Sequence, residues 1–393
     1  CRAVSCLFPI YRVFECVMNQ HQSRQSAQAQ DALLDEWSAK VTEAQAQRTP
    51  LILQGAGSKE FYGHPPAGQV LDVSGYRGVV DYEPSELVIT ARGGTPVAEI
   101  EALLAEQGQF LAFEPPLYSP QSTLAGCVAA GLAGPRRAQA GGVRDFMLGV
   151  KIIDGQGRLL TFGGQVMKNV AGYDVSRLMA GSLGTLGIIT ELSIKVLPLP
   201  IQEQTLVLAM DQPTALQKLN EWAGQPLPIS ASLWVGGQLH LRLSGAPSAL
   251  AVAHELIGGE QLPDEQATAL WTAVRHQQHS WFMQAQGVVA EDPEAVLWRL
   301  SLPSVAPMCL PDEPQLIEWG GALRWCVSSL PAADIRAAVA ALGGTATAFR
   351  GQQVPAAVFH PLEPAVLTLQ KRLKQKFDPA GIFNPGKIYP GEL

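Results

Sequence analysis

The densest chemical signal in this sequence lies between residues 141 and 198: GGVRDFMLGVKIIDGQGRLLTFGGQVMKNVAGYDVSRLMAGSLGTLGIITELSIKVLP. Glycine recurs there at 163, 164, 172, 181, 184 and 187, with Lys168-Asn169 and Tyr173-Asp174 set among them. Glycine loses more backbone entropy on folding than any other residue, so this density marks a backbone that must approach something closely. A large flat ligand fits. A second turn, Gln54-Gly55-Ala56-Gly57-Ser58-Lys59, follows the apolar run Leu51-Ile52-Leu53. Its Gly-x-Gly invites the nucleotide-binding fingerprint. However, Glu60 stands where the third glycine belongs, and the following FYGHPP cannot continue a helix. A phosphate would have to sit on successive loop N–H groups, a backbone nest, helped by the Ser58 hydroxyl and the Lys59 charge. An ordinary tight turn is the competing reading.

Two arginines are candidates for holding a carboxylate: Arg299 in WRLSLP and Arg324 in ALRW. Each is expected on a strand amid large apolar residues, where an unpaired guanidinium is costly. An internal ion pair, for example with Glu318, is the alternative. Of His240, His254, His276, His279 and His360, only His276 and His279 share helical spacing, and no acidic residue lies beside them. A solvated helix face is expected there, and no metal site. No residue stands out as a general base.

The elements that would position these groups are legible in outline. Residues 18–30 are polar and are expected to be disordered or to fray. Residues 31–47 place Leu33, Leu34, Trp37, Val41 and Ala44 on one helical face. Short strands are expected at 51–53, 69–73, 79–82 and 87–91, and Pro96 opens a helix to residue 107. Ser122 or Thr123 caps a small-residue helix over 124–131. A hairpin spans 150–154 and 159–162, then a glycine-dense helical segment leads to a strand at 187–196. Beyond Pro200 the order strand, helix, strand, strand, helix predicts an antiparallel sheet with helices on one face. Residues 363–377 are helical, and the last sixteen form an extended tail that docks elsewhere.

Composition narrows the function. The chain has 393 residues, 47% of them hydrophobic, enough for two or more domains with real cores. The net charge of −7 and the absence of a basic run exclude nucleic acid as a partner. No apolar run reaches the ~20 residues that span a membrane. The layout of a signal peptide is lacking, and residues 1–17 are expected to lie upstream of the natural start, since the sequence opens on Cys1 and Met18 begins a polar, Gln-rich stretch. The cysteines (1, 6, 16, 127, 309 and 326) show no C-x-x-C spacing, hence no iron–sulfur or zinc site is expected. A reducing, cytoplasmic setting fits.

One family shares the order of these motifs: LILQGAGSKEF, VVDYEPSELVITARGGTPVAEIEALLAEQGQ, STLAGCVAAGLAGP, the 141–198 block and FDPAGIFNPGKI. The chain resembles the vanillyl-alcohol-oxidase type of FAD-binding domain, also called the PCMH type. Within that type it is similar to the FAD-binding small subunits of bacterial glycolate oxidases. The resemblance covers residues ~50–200 and ~366–393, and more loosely VLWRLSLP and WGGALRW in between. It implies an α+β fold: a two-subdomain FAD-binding domain over 31–200, an α+β antiparallel cap over 201–362, and a helix and tail over 363–393 returning to the FAD domain.

It also implies roles. Gln54, Gly55, Ala56, Gly57, Ser58 and Lys59 would carry the pyrophosphate of FAD. Ser122, Thr123, Gly126 and Gly131 would line the middle of the cofactor. Gly184, Gly187, Ile188 and Ile189 would present backbone near the adenine. Asn169, Gly172, Tyr173 and Asp174 would lie near the cofactor or shape its wall, and Asn384 and Lys387 would return from the cap. His64 and Cys127 match no covalent attachment motif, so non-covalent FAD is expected. The implied function is a 2-hydroxyacid dehydrogenase complex oxidising glycolate. Its partners would be a large FAD-binding subunit and an iron–sulfur subunit, with membrane association peripheral and through the complex. A self-sufficient flavin oxidase of a sugar, lactone or alcohol is a second reading, and a non-catalytic scaffold a third.

Overall fold

The computed structural model describes residues 8–164, 174–353 and 357–392, with residues 8–27 as backbone alone. The N-terminal helix runs unbroken over Phe8–Gln47. The expected disorder up to residue 30 is thereby corrected. Residues 10–49 contain no glycine or proline and many strong helix formers. Trp37, Val41 and Ala44 bury the helix against Tyr76, Ile153 and Phe383.

The first half of the chain builds a five-stranded antiparallel sheet. Its order is Val79–Glu83, Val88–Arg92, Ile188–Lys195, Met147–Ile153, Leu159–Gly163. Ile89, Val150, Ile152 and Leu192 share one core with Val97, Ile100 and Leu104 of the helix Val97–Glu106. The helix Leu124–Ala130 packs Leu124 and Val128 into that core. The turn of the hairpin is held by Asp154, whose buried carboxylate accepts from the Gln156 and Arg158 amides and the Arg158 guanidinium. The stretch expected to be helical before the strand Ile188–Lys195 holds, among the described residues, only the short 3-10 turn Ser176–Met179. Beside this sheet lies a small parallel pair, Leu51–Gln54 with Gln69–Asp72. The C-terminal tail adds to it, because Phe383 bridges to Leu51 in parallel.

The second half is an eight-stranded sheet. Its order is Glu260–Leu262, Gln202–Ala209, Gln238–Gly245, Ile229–Val235, Gln315–Glu318, Leu323–Ser328, Val296–Ser301, Thr345–Gly351, with antiparallel pairing throughout. Helices cover both faces, which corrects the expectation of one. The helices Gln212–Ala223 and Pro247–Ile257 pack Leu219 and Leu250 on Leu206 and Leu241. The helix Ala332–Ala340 packs Ile335 and Val339 on Trp298 and Leu300. The helices Asp264–Arg275 and Ser280–Glu291 pack Trp271 and Phe282 on Leu233 and Leu297. Leu297 and Trp298 are neighbours in one strand and face opposite ways. Consecutive apolar residues such as these belong to a sheet buried on both sides.

The two halves meet across a buried ionic seam. Glu114 of the first half accepts from the Arg136 amide at 2.8 Å and the Arg242 guanidinium at 3.0 Å. Arg136 also pairs with Glu203, and Ser230 and Ser244 complete the cluster from the second half. Burial alone would raise the Glu114 carboxyl, but Arg242 and Arg136 outweigh it and hold it below the usual carboxylate range. Glu114 itself sits at φ 46°, a strained conformation for a residue other than glycine that the surrounding bonds maintain.

A carboxylate with a lowered folded-state pKa contributes stability above its unfolded value and loses it as pH falls through the folded one. Glu114→Gln leaves two buried arginines under-compensated and should cost about 3–5 kcal/mol. Urea melts between pH 7 and pH 3 check both points: the variant is expected to be weaker at neutral pH and to show a shallower acid loss than the parent.

Candidate functional site

A cleft of about 400 Å³ runs between the parallel pair and the five-stranded sheet. One wall is the loop that leaves the strand Leu51–Gln54. The backbone N–H groups of Gly55, Ala56, Gly57, Ser58 and Lys59 find no acceptor among the described residues. Five successive unsatisfied donors beside a cleft form an anion nest, suited to a diphosphate. No helix follows the loop; residues 58–61 form turns instead. Gly57 takes φ 68°, and a Cβ there would meet the Glu60 carboxylate at 2.9 Å. Glu60 also accepts from the Gln54 side chain at 2.5 Å, closing the loop on itself.

The other walls come from distant parts of the chain. Thr123 caps the helix Leu124–Ala130, its hydroxyl accepting from the Gly126 amide at 3.3 Å. Gly187, Ile188 and Ile189 present the start of a central strand. Asn384 ties the cleft together: its carboxamide accepts from the Leu53 amide at 2.9 Å and donates to the Leu183 carbonyl at 2.7 Å. A Cβ on Gly184, at φ 73°, would lie 2.6 Å from that carboxamide, so the approach needs glycine. Lys387 donates to the Glu60 carbonyl at 3.2 Å, and its own carbonyl accepts from the His64 amide at 2.9 Å. Burial lowers the Lys387 ammonium from its ordinary value, with Glu60 opposing.

Of the residues singled out in the sequence, the cleft brings together all of 54–59, with Thr123, Gly126, Gly184, Gly187, Ile188, Ile189, Asn384 and Lys387. Ser122 stands behind the loop, its hydroxyl 3.0 Å from that of Ser58. Gly131 borders a neighbouring cavity instead. Asp174 does not border the cleft; it is exposed and pairs with Arg177 at 3.1 Å. Asn169, Gly172 and Tyr173 lie outside the described residues. His64 accepts from the Val358 amide at 3.1 Å, and Cys127 is buried with the Lys59 ammonium 3.6 Å from its sulfur. Neither borders the cleft.

The substrate candidates fare differently. Arg324 is fully buried, and its guanidinium donates to the carbonyls of Ala306 and Pro307 at 2.6 Å and of Gly321 at 3.1 Å. It laces a loop to its strand and borders neither the cleft nor the cavities beside it. Arg299 stacks on Trp319 and Trp325 and borders a void of about 20 Å³, room for a water rather than a substrate. Glu318 borders the same void. Burial pushes its carboxyl up to about 7, against a hydrogen bond from the Trp325 indole and the charge of Arg299. His276 and His279 do not share a helix face. His276 ends the helix Asp264–Arg275 and accepts from the Leu117 amide at 3.0 Å, while His279 caps the next helix. Burial, then the neighbouring Arg275, lowers His276 to about 4. Among the described residues no group of His, Cys, Asp and Glu could hold a metal ion.

The groups missed in the sequence are Tyr62, Arg137, Arg144 and Tyr389. They border a second cavity of about 270 Å³ that shares Ala130 and Leu183 with the cleft. Arg136-Arg137 falls between the motifs that drew attention, and nothing in the dipeptide separates the buried seam residue from its cavity neighbour.

Comparison with known proteins agrees with this geometry. Residues 33–163 match the FAD binding domain family and residues 333–388 the C-terminal domain of FAD linked oxidases. The chain is 47% identical to the glycolate oxidase subunit GlcE of Escherichia coli (strain K12), over 91% of this chain and 97% of that protein. It is 31% identical to the glycolate oxidase subunit GlcD of Bacillus subtilis (strain 168), over 48% of this chain and 40% of that protein. Among solved structures, 4-ethylphenol oxidase from Gulosibacter chungangensis superposes with a TM-score of 0.64 at 15% identity, covering 91% of this chain and 88% of that one. The architecture is therefore that of the PCMH-type oxidases. Identity at this level along almost the full length of both proteins decides the family: the chain belongs to the GlcE family of glycolate oxidase subunits, FAD-dependent oxidoreductases that act on CH–OH donors.

Proposed function

We propose that this chain is the FAD-binding subunit of a complex that oxidises glycolate to glyoxylate, passing electrons to an iron–sulfur partner subunit. A large FAD-binding subunit completes the complex, which resides in the cytoplasm and meets the membrane only peripherally. The observation that carries the reading is the row of five unsatisfied amides at residues 55–59 along a cleft of cofactor size. The residues present fit FAD. The nest would hold its diphosphate, the apolar side chains Ile188 and Ile189 its adenine end, and Thr123 and Gly126 its middle. Asn384 and Lys387 fix the loop that does the holding. The bound cofactor would supply the two-electron acceptor for the substrate carbon.

An external electron acceptor fits the cysteines. Cys127, Cys309 and Cys326 are separate buried thiols, and burial raises each of them from its ordinary value. None is placed as a cluster ligand, so onward transfer belongs to a partner. With His64 and Cys127 both engaged by protein groups, the FAD is held without a covalent bond.

Two measurements test this reading. The visible spectrum of the purified chain, loaded with FAD and then given glycolate without oxygen, should show a flavin that bleaches. A chain that takes up no FAD would contradict the reading, and bleaching only in the presence of partner subunits would reduce this flavin to a relay. Separately, Gly57→Ala forces a side chain into a left-handed conformation at a cost of roughly 1–2 kcal/mol. Fluorescence titration should show FAD affinity weakened about tenfold, with the far-ultraviolet circular dichroism unchanged.

A further inference from the structure

The cavity beside the cleft has an unbalanced charge. Arg137 and Arg144 both border it, and no aspartate or glutamate does. Neither guanidinium donates a hydrogen bond or forms an ion pair among the described residues. The nearby carboxylate of Asp145 acts on Arg137 through its charge but forms no ion pair with it, and accepts from the Gly142 amide at 2.9 Å. Arg137 is also held in place. Its guanidinium lies 4.5 Å from the ring centre of Trp319, a residue of the eight-stranded half. The Trp319 indole in turn donates to the Gly134 carbonyl of the first half at 3.0 Å. Tyr62 is only 7% exposed and borders the cavity, yet its hydroxyl has no partner among the described residues. Tyr389, by contrast, donates to the His360 carbonyl at 3.0 Å. The remaining lining is apolar, including Val143, Phe359 and Ile388.

We infer that this cavity is the substrate site of the chain itself, and that it takes a small 2-hydroxy monocarboxylate with its carboxylate on Arg137 and Arg144. Planar guanidinium groups match a carboxylate in two-point geometry, and pre-positioning by an aromatic ring reduces the entropy lost on binding. Tyr62 supplies a hydrogen bond to the ligand in place of the partner it lacks in the protein. The apolar lining has room for a short chain and none of the groups that would receive a second charge. Ala130 and Leu183, shared with the cleft, place the cavity directly beside the proposed cofactor. The inference rests on FAD occupying that cleft. It assigns substrate binding to this subunit and not to a partner alone.

The test uses the full chain loaded with FAD and reduced beforehand with dithionite, in the absence of oxygen, so that binding is read without turnover. Calorimetry measures the binding of glycolate and of its uncharged amide, and flavin absorbance measures FAD per chain. The parent should bind glycolate and discriminate against the amide. Arg137→Gln and Arg144→Gln should each raise the glycolate Kd roughly ten- to hundredfold, the loss expected for a charge-assisted pair, with FAD per chain unchanged. Arg137→Lys should recover part of the affinity by keeping the charge. Glycolate Kd values within twofold of the parent in both glutamine variants would overturn the inference. So would a loss of FAD in those variants, which would assign the arginines to the cofactor. A parent that holds FAD but binds no glycolate refutes the site while leaving the cofactor reading intact; a parent that holds no FAD removes both.

Discussion

The carboxylate of Glu114 is the interaction on which the arrangement of this molecule depends. It lies between two arginines from different halves of the chain, and each half alone would leave charge buried without compensation. Taking such a cluster out of water is costly, and the attraction within it offsets that cost only with full hydrogen bonding. Ser230, Ser244 and Glu203 supply the remaining partners. The seam therefore gives less in net stability than in definition: the Arg136 Nε stays without a hydrogen bond, while the other partners fix the eight-stranded sheet against the first half. The cavity beside the cleft depends on that fixed relation, because Trp319 of the eight-stranded half positions Arg137 there; the cleft itself is lined by the first half and the tail. Arg136 and Arg137 show how finely it acts, since successive residues serve the seam and the cavity.

Much of the architecture was legible because local chemistry and tertiary demand agree. The strand before Gly55, the capping hydroxyl at Thr123, the helix opened after Pro96 and the tail around Asn384 each carry their instruction in a few adjacent residues. The cleft was legible for the same reason, since a close backbone approach demands glycine and glycine is visible. What misled were residues whose meaning depends on distant partners. In the strand Gln238–Gly245 the alternation LHLRL, to which no role is assigned from sequence, would place His240 and Arg242 on one face. Yet Arg242 is buried, because the face it occupies is covered by the first half of the chain. Arg324 looked like an unpaired charge awaiting a ligand; its partners are backbone carbonyls, which no sequence displays.

The same limit explains the cavity. An arginine is read as catalytic when its surroundings are apolar in sequence, which favoured Arg299 and Arg324. Arg137 and Arg144 are exposed, and nothing adjacent in the sequence marks them. That the two border one cavity is a property of three dimensions. Trp319, which positions Arg137, lies 182 residues further along the chain by the numbering.

The strand Leu51–Gln54 has a consequence for how the protein is made. Its amide partner Asn384 lies 331 positions away, and Lys387 closes the adjoining loop from as far. Contacts of such separation form late, because the intervening chain must first be ordered. During synthesis the loop 54–59 emerges early but stays without its rear wall until residues 384–387 have been made. Cofactor capture therefore reports that this distant segment is in place: a polypeptide that stops short of it has no finished place for the flavin to stay.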